Sequence, residues 1–114
     1  MRYTHESFGL VKQDEIEALF TTIKDVLRVT KEELKSKNRI SYIVDAKKIF
    51  SIICTDVIKV RNQVVSYHLE TQHSDITHNV KMAREYIKNR IEFNYKFTEV
   101  RKEYIKKQQL ILEI

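Results

Sequence analysis

Apolar residues recur at Ile16, Leu19, Phe20, Ile23, Val26 and Leu27, the three-and-four spacing that lays one stripe along one side of a helix. This first helix is predicted to stop near Arg28. Thr30 is followed three residues later by Glu33, a pair that closes a reciprocal capping box and so opens a new short helix, Lys31 to about Lys35. The next five residues, Lys35, Ser36, Lys37, Asn38 and Arg39, hold no apolar member and read as a basic connector. A third helix is predicted from about Ile40 to Ile58, with Ile43, Ala46, Phe50, Ile53, Cys54 and Val57 inward and Lys47, Lys48 and Asp56 toward water. Its 19 residues would span roughly 28 Å.

A break at 59–61 leads into a short helix, Asn62 to Leu69, that turns Val64, Val65 and Leu69 inward. The polar interval Glu70, Thr71, Gln72 precedes a longer helix that starts around His73 and buries Ile76, Val80, Ala83 and Ile87. A short helix, a tight turn and a second helix with one buried face is the outline of a helix-turn-helix, which frees the first turn of the second helix to enter a major groove. The last helix, Ile91 to about Leu110, carries Phe93, Tyr95, Phe97, Val100, Tyr104 and Ile105, expected to anchor it on the bundle. Residues 1–12 are polar and unpatterned and are expected to be a flexible tail. Residues 13–110 then form one domain, and 111–114 an apolar C-terminal tail.

Composition narrows the class. The 114 residues include one Gly and no Pro, so the tight hairpins of β-sandwiches and the Gly-rich loops that cradle phosphates are excluded. The expected fold is all-α, a bundle of about six helices. The net charge is +5, and it is uneven. Residues 1–34 carry five basic and seven acidic side chains, residues 35–114 sixteen and nine, so a polyanion would sit on the later part. Cys54, the single cysteine, falls in an apolar run and reads as a buried thiol. No stretch is apolar for the roughly 18 residues of a membrane span and the first ten residues lack a signal's apolar centre, so a cytoplasmic location is expected.

Two stretches resemble a known family. Residues 23–53, IKDVLRVTKEELKSKNRISYIVDAKKIFSII, are similar to the start of the C-terminal DNA-binding domain of the bacterial replication initiator DnaA, where a helix leads into a short capped stretch and a long helix. Some 40 residues on, Gln72, His73, Ser74, Asp75, Ile76, Thr77 and His78 stand where that family carries a signature commonly written R-D-H-[ST]-T-V-x-H, with Val65, Ser66 and Leu69 at the family's positions before the turn. The likeness covers about residues 14–105. It implies a Trp-repressor-like helical domain that binds double-stranded DNA, with the basic loop in the minor groove and the signature opening the recognition helix in the major groove. By position Arg39 matches the loop arginine, Lys47 an arginine of the long helix, and His73 and Ser74 the signature's histidine and hydroxyl residue. Lys35, Lys37 and Lys48 lie beside them. The resemblance therefore implies phosphate contacts from Lys and Arg, and base contacts from the fifth helix.

The departures are specific. Thr71 replaces the signature's arginine, Gln72 its aspartate and Asp75 its second hydroxyl residue. Loss of the arginine removes a bidentate guanine donor worth about 1 to 3 kcal/mol of discrimination, whereas Gln72 can pair with adenine. No upstream stretch resembles an ATPase domain, so a free-standing relative is expected, of bacterial, mobile-element or phage origin.

No Ser-His-Asp, Cys-His or paired-carboxylate arrangement stands out, so no catalytic residue is assigned and no enzyme is expected. His68, His73 and His78 recur every five residues, a spacing that spreads them around a helix, so neither metal nor other cofactor is expected. His78 is read as a packing residue one turn beyond His73, although the signature also places it among the DNA-facing positions. Two functions remain. One is a sequence-preferring duplex-DNA binder in replication or transcription control. The other is a helical protein-interaction module that kept the fold and lost the DNA, with its homodimer or partner surface on the C-terminal helix.

Overall fold

The computed structural model describes residues 8–112, with side chains up to residue 110. Six α-helices follow one another, and no strand occurs among the described residues. They are α1 (Gln13–Leu27), α2 (Lys31–Lys35), α3 (Ser41–Ile53), α4 (Asn62–Leu69), α5 (His73–Asn89) and α6 (Ile91–Leu112), with a π-helical turn, Cys54–Ile58, extending α3.

The helix ends follow from local chemistry. Thr30 Oγ1 accepts from the Glu33 N–H at 3.1 Å while Glu33 Oε1 accepts from the Thr30 N–H at 3.0 Å, the box that starts α2. With glycine absent from every helix end, the chain turns out of α1, the π turn and α4 on left-handed Arg28, Lys59 and Glu70, at φ 60°, 68° and 53°. Such residues carry a steric cost that glycine avoids. The one glycine serves a close approach instead. Its Cα lies against Tyr67, where an added Cβ would come within 2.7 Å of the ring.

α3 lies at the centre, packed on α5, α1, α2 and α6. Phe50, Ile49 and Ala46 are wholly buried, and the Phe50 ring stacks on Phe20 of α1 at 4.5 Å. Burying one such phenylalanine stabilises the fold by about 2 to 3 kcal/mol. Ile16, Leu19 and Ile23 of α1, Ile76 and Ala83 of α5, and Phe93 and Val100 of α6 close the same core.

Four expectations change. The third helix does not run unbroken to Ile58: beyond Ile53 the hydrogen bonds lengthen to the π pattern, and the Lys59 and Val60 N–H groups both donate to the Cys54 carbonyl. The wider turn accompanies the burial of both Ile58 and Val60. Packing begins ahead of residue 13, because Phe8 and Val11 lie against the core. Residues 1–7 and 113–114, and the side chains at 111 and 112, lie outside the described part. Tyr95 does not anchor α6. It is 68% exposed, while Phe93, Val100 and Tyr104 carry the packing.

Lys48 is the fourth. Lys48 does not face water: it is buried, as is Asp45, one turn ahead of it on α3, and the negative charge of Asp45 favours its ammonium. Arg90, between α5 and α6, pairs directly with Asp45 through hydrogen bonds of 3.0 and 3.3 Å to the carboxylate. Its guanidinium also lies over the rings of Tyr86 and Phe93, 4.6 and 5.6 Å from their centroids. The Lys48 ammonium sits 5.9 Å from the Tyr86 ring centre. Burial pushes its pKa down, Asp45 opposes, and Arg90 and Lys47 add to the fall.

Candidate nucleic-acid interface

The connector after α2 is a built loop. Ser36 Oγ donates to the Glu33 carbonyl at 2.6 Å and accepts from the Asn38 N–H at 3.3 Å. Asn38 Oδ1 accepts from the Ile40 N–H at 2.9 Å, which closes the loop onto the start of α3. Lys47, from the second turn of α3, donates its ammonium to the Ser36 carbonyl and, at 3.3 Å, to the Asn38 carbonyl. Burial lowers the Lys47 pKa, and the neighbouring Arg39 charge lowers it further. Lys37 and Arg39 are left exposed, with no carboxylate partner among the described residues. The loop's polar atoms are spent on its own shape, and its two cations are not.

Across from it α4, a three-residue turn and α5 follow in sequence. Left-handed Glu70 ends α4, and the next amide, that of Thr71, returns to the Ser66 carbonyl at 3.0 Å. Lys35 bridges to Glu70 at 2.9 Å and holds that carboxyl below its ordinary pKa, so α2 is tied to the turn. Thr71 donates its hydroxyl to Asp75, whose carboxylate also accepts from the Gln72 N–H at 3.4 Å. Asp75 is therefore the acid that caps α5, in the position the helix dipole favours. Thr71 and Asp75, two of the signature's departures, bond each other.

A concavity of about 340 Å³ lies between the connector and the start of α5. Lys35, Lys37, Arg39 and Lys47 line one side and Thr71, Asp75 and His78 the other, so seven of the eleven sequence-predicted residues meet in one place. Gln72, the N-cap of α5, and His73 and Ser74 of its first turn are exposed but do not line the concavity. Lys48 is absent from it, being buried on the side of α3 that carries Asp45. His78 is no packing residue; it is exposed at the rim. Lys35 is engaged by Glu70, and Lys47 by the two carbonyls.

Sequence reasoning missed Asn79, which lines the concavity, and Lys81, which is exposed. Ser74, His78 and Lys81 follow at four and three residues and so share one outward stripe of α5. That spacing was available in the sequence. The described residues hold no group of three or more His, Cys, Asp or Glu side chains able to bind a metal ion.

The chain is similar to chromosomal replication initiator protein DnaA. It is 27% identical to the protein of Campylobacter curvus over 94 residues, covering 81% of this chain and 21% of that one. With the protein of Campylobacter concisus the identity is 26% over 105 residues, covering 90% of this chain and 22% of that one. The chain thus spans about a fifth of the length of these relatives. No protein-family model matches it. No solved structure matches it either. None of the helices among the described residues is long and apolar enough to cross a membrane.

Proposed function

We propose that this chain is a non-enzymatic module that binds double-stranded DNA through a helix-turn-helix made of α4 and α5, with a sequence preference, in the control of replication or transcription. The observation that carries this reading is a concavity lined by unpaired Lys37 and Arg39 on one side and by Thr71, Asp75 and His78 on the other, with Gln72, His73 and Ser74 exposed beside it at the start of α5. Cations without carboxylate partners hold like charges close together, and a phosphate backbone relieves that repulsion. The exposed amides, hydroxyl and imidazole of Gln72, Ser74 and His73 are groups that read base edges. Similarity to part of DnaA supports the same reading.

The test is binding of a random duplex pool at two salt concentrations. Affinity falls with salt, and Arg39→Ala lowers the salt slope by about one phosphate's worth. Gln72→Ala shifts the selected sequence more than the affinity. Salt-independent binding, or none at low salt, refutes the proposal.

A second reading, a protein-interaction module, is favoured by the exposure of Ile91 (91%), Tyr95 (68%) and Leu110 (54%) along α6 and by the capping use of Thr71 and Asp75. A stable homodimer or partner complex that retains no nucleic acid would replace the DNA reading with it.

A further inference from the structure

We propose that Lys47 is a positioning residue, which shapes the connector so that Lys37 and Arg39 face a duplex together, and is not itself a phosphate contact. This rests on the DNA-binding reading and deepens it. An ammonium has three donors and no acceptor. Two of the three are directed to the Ser36 and Asn38 carbonyls, eleven and nine residues earlier in the chain. Those two residues are the same ones whose side chains accept from the Asn38 and Ile40 amides. Side chains of the loop thus take up two of its N–H groups, and Lys47 two of its carbonyls. Lys37 and Arg39 alternate with Ser36 and Asn38, so fixing the carbonyls of the latter pair fixes the direction from which the former leave. Lys47 is half-buried, whereas Lys37 and Arg39 are exposed. The exposed pair makes no bond within the loop and is free to turn to a backbone, whereas Lys47 has one N–H left and is held against the loop by the other two.

Holding a loop in its bound shape raises affinity by sparing the ordering cost at the moment of binding, so a positioning residue acts through the groups it holds. Its removal is then strongly non-additive with theirs. The experiment uses the full chain, Lys47→Met, Lys37→Ala with Arg39→Ala, and all three changes together, with a duplex pool as the probe. Circular dichroism checks that each variant keeps its helices. Lys47→Met alone is expected to weaken binding about tenfold, the scale of one lost contact. On the background lacking Lys37 and Arg39 it should weaken binding less than twofold and leave the salt slope unchanged. In the DNA-free protein, hydrogen exchange at the Asn38 and Ile40 amides should quicken in Lys47→Met and keep its rate in the Lys37, Arg39 variant.

A further tenfold loss on that background, with the slope falling by about 0.9, would make Lys47 a direct phosphate contact and overturn the proposal. Unchanged exchange at Asn38 and Ile40 in Lys47→Met would overturn it as well. Wild-type protein that binds no duplex would instead sink the DNA reading itself, which separates the two failures.

Discussion

Removing the guanidinium of Arg90 tests how the centre of the bundle is held. Its partner Asp45 has a side chain only 7% exposed, and the Asp45 hydrogen bond is the first of the causes that raise the Arg90 pKa, ahead of the one to Glu92. Breaking a fully buried pair costs about 3 to 5 kcal/mol, because the survivor is left charged without a partner. Two features lower that figure here. Arg90 is 31% exposed, so part of its charge is already shared with water. Lys48 also stays nearby and is coupled to Asp45. Against this, Arg90→Ala loses the contacts over Tyr86 and Phe93, worth about 0.5 to 1 kcal/mol each where partly exposed. The expected loss is about 2 to 3 kcal/mol. The companion bond to Glu92, 73% exposed, adds little.

Urea unfolding followed by circular dichroism at the helical band measures this directly, and a melt should fall by about 4 °C per kcal/mol lost. The decisive comparison is the double variant Arg90→Met with Asp45→Leu, which removes both charges and keeps apolar volume. It should be more stable than the two single losses added together, by about 1.5 kcal/mol or more. A loss below about 1 kcal/mol for Arg90→Ala, or strict additivity in the cycle, would refute the account of Asp45 as a buried carboxylate kept by a distant cation.

Three further outcomes follow from local geometry. His68 is buried with its Nε2 unpartnered, and burial pushes its pKa below the ordinary 6.5, so the unfolded chain takes the proton first as pH falls. Its stability contribution is whole above about 6.5 and is lost as pH drops through the lower folded value; His68→Phe should flatten the stability-against-pH curve between about 7 and 5, and an unchanged slope would count against this. Thr30→Ala removes the capping box and should lower stability by about 1 kcal/mol in urea, with a loss under about 0.3 showing that α2 is held by other means. Lys59→Gly relieves a left-handed φ of 68° and should raise stability by about 0.5 to 1 kcal/mol, read as a higher melting temperature; a decrease would mean that the lysine side chain matters more than its backbone.

Apart from the π turn after Ile53, helix ends and the apolar stripe of each helix were readable from the chain because their causes are local. The Thr30 and Glu33 box lies three residues apart, and Ile76, Val80 and Ala83 repeat at helical spacing, so both could be read without knowing what they pack against. The connector and the first turn of α5 were also readable as basic and polar. That the connector shares one concavity with Thr71, Asp75 and His78 was not, since more than 30 residues separate them and only the packing of α2, α4 and α5 around α3 brings them together.

What tertiary structure alone decided is the fate of individual charges. Lys47 and Lys48 are neighbours of one residue type on one helix, yet one ammonium turns to the connector's carbonyls and the other is buried beside Asp45 and Tyr86. Asp75 stands in the sequence as an acid at a DNA-facing position and in the fold as the cap of its own helix. Periodicity reports which side of a helix is apolar, because burial of apolar area sums over many residues. It does not report where a single long charged side chain goes, because that depends on one partner, and Arg90 stands 45 residues from Asp45.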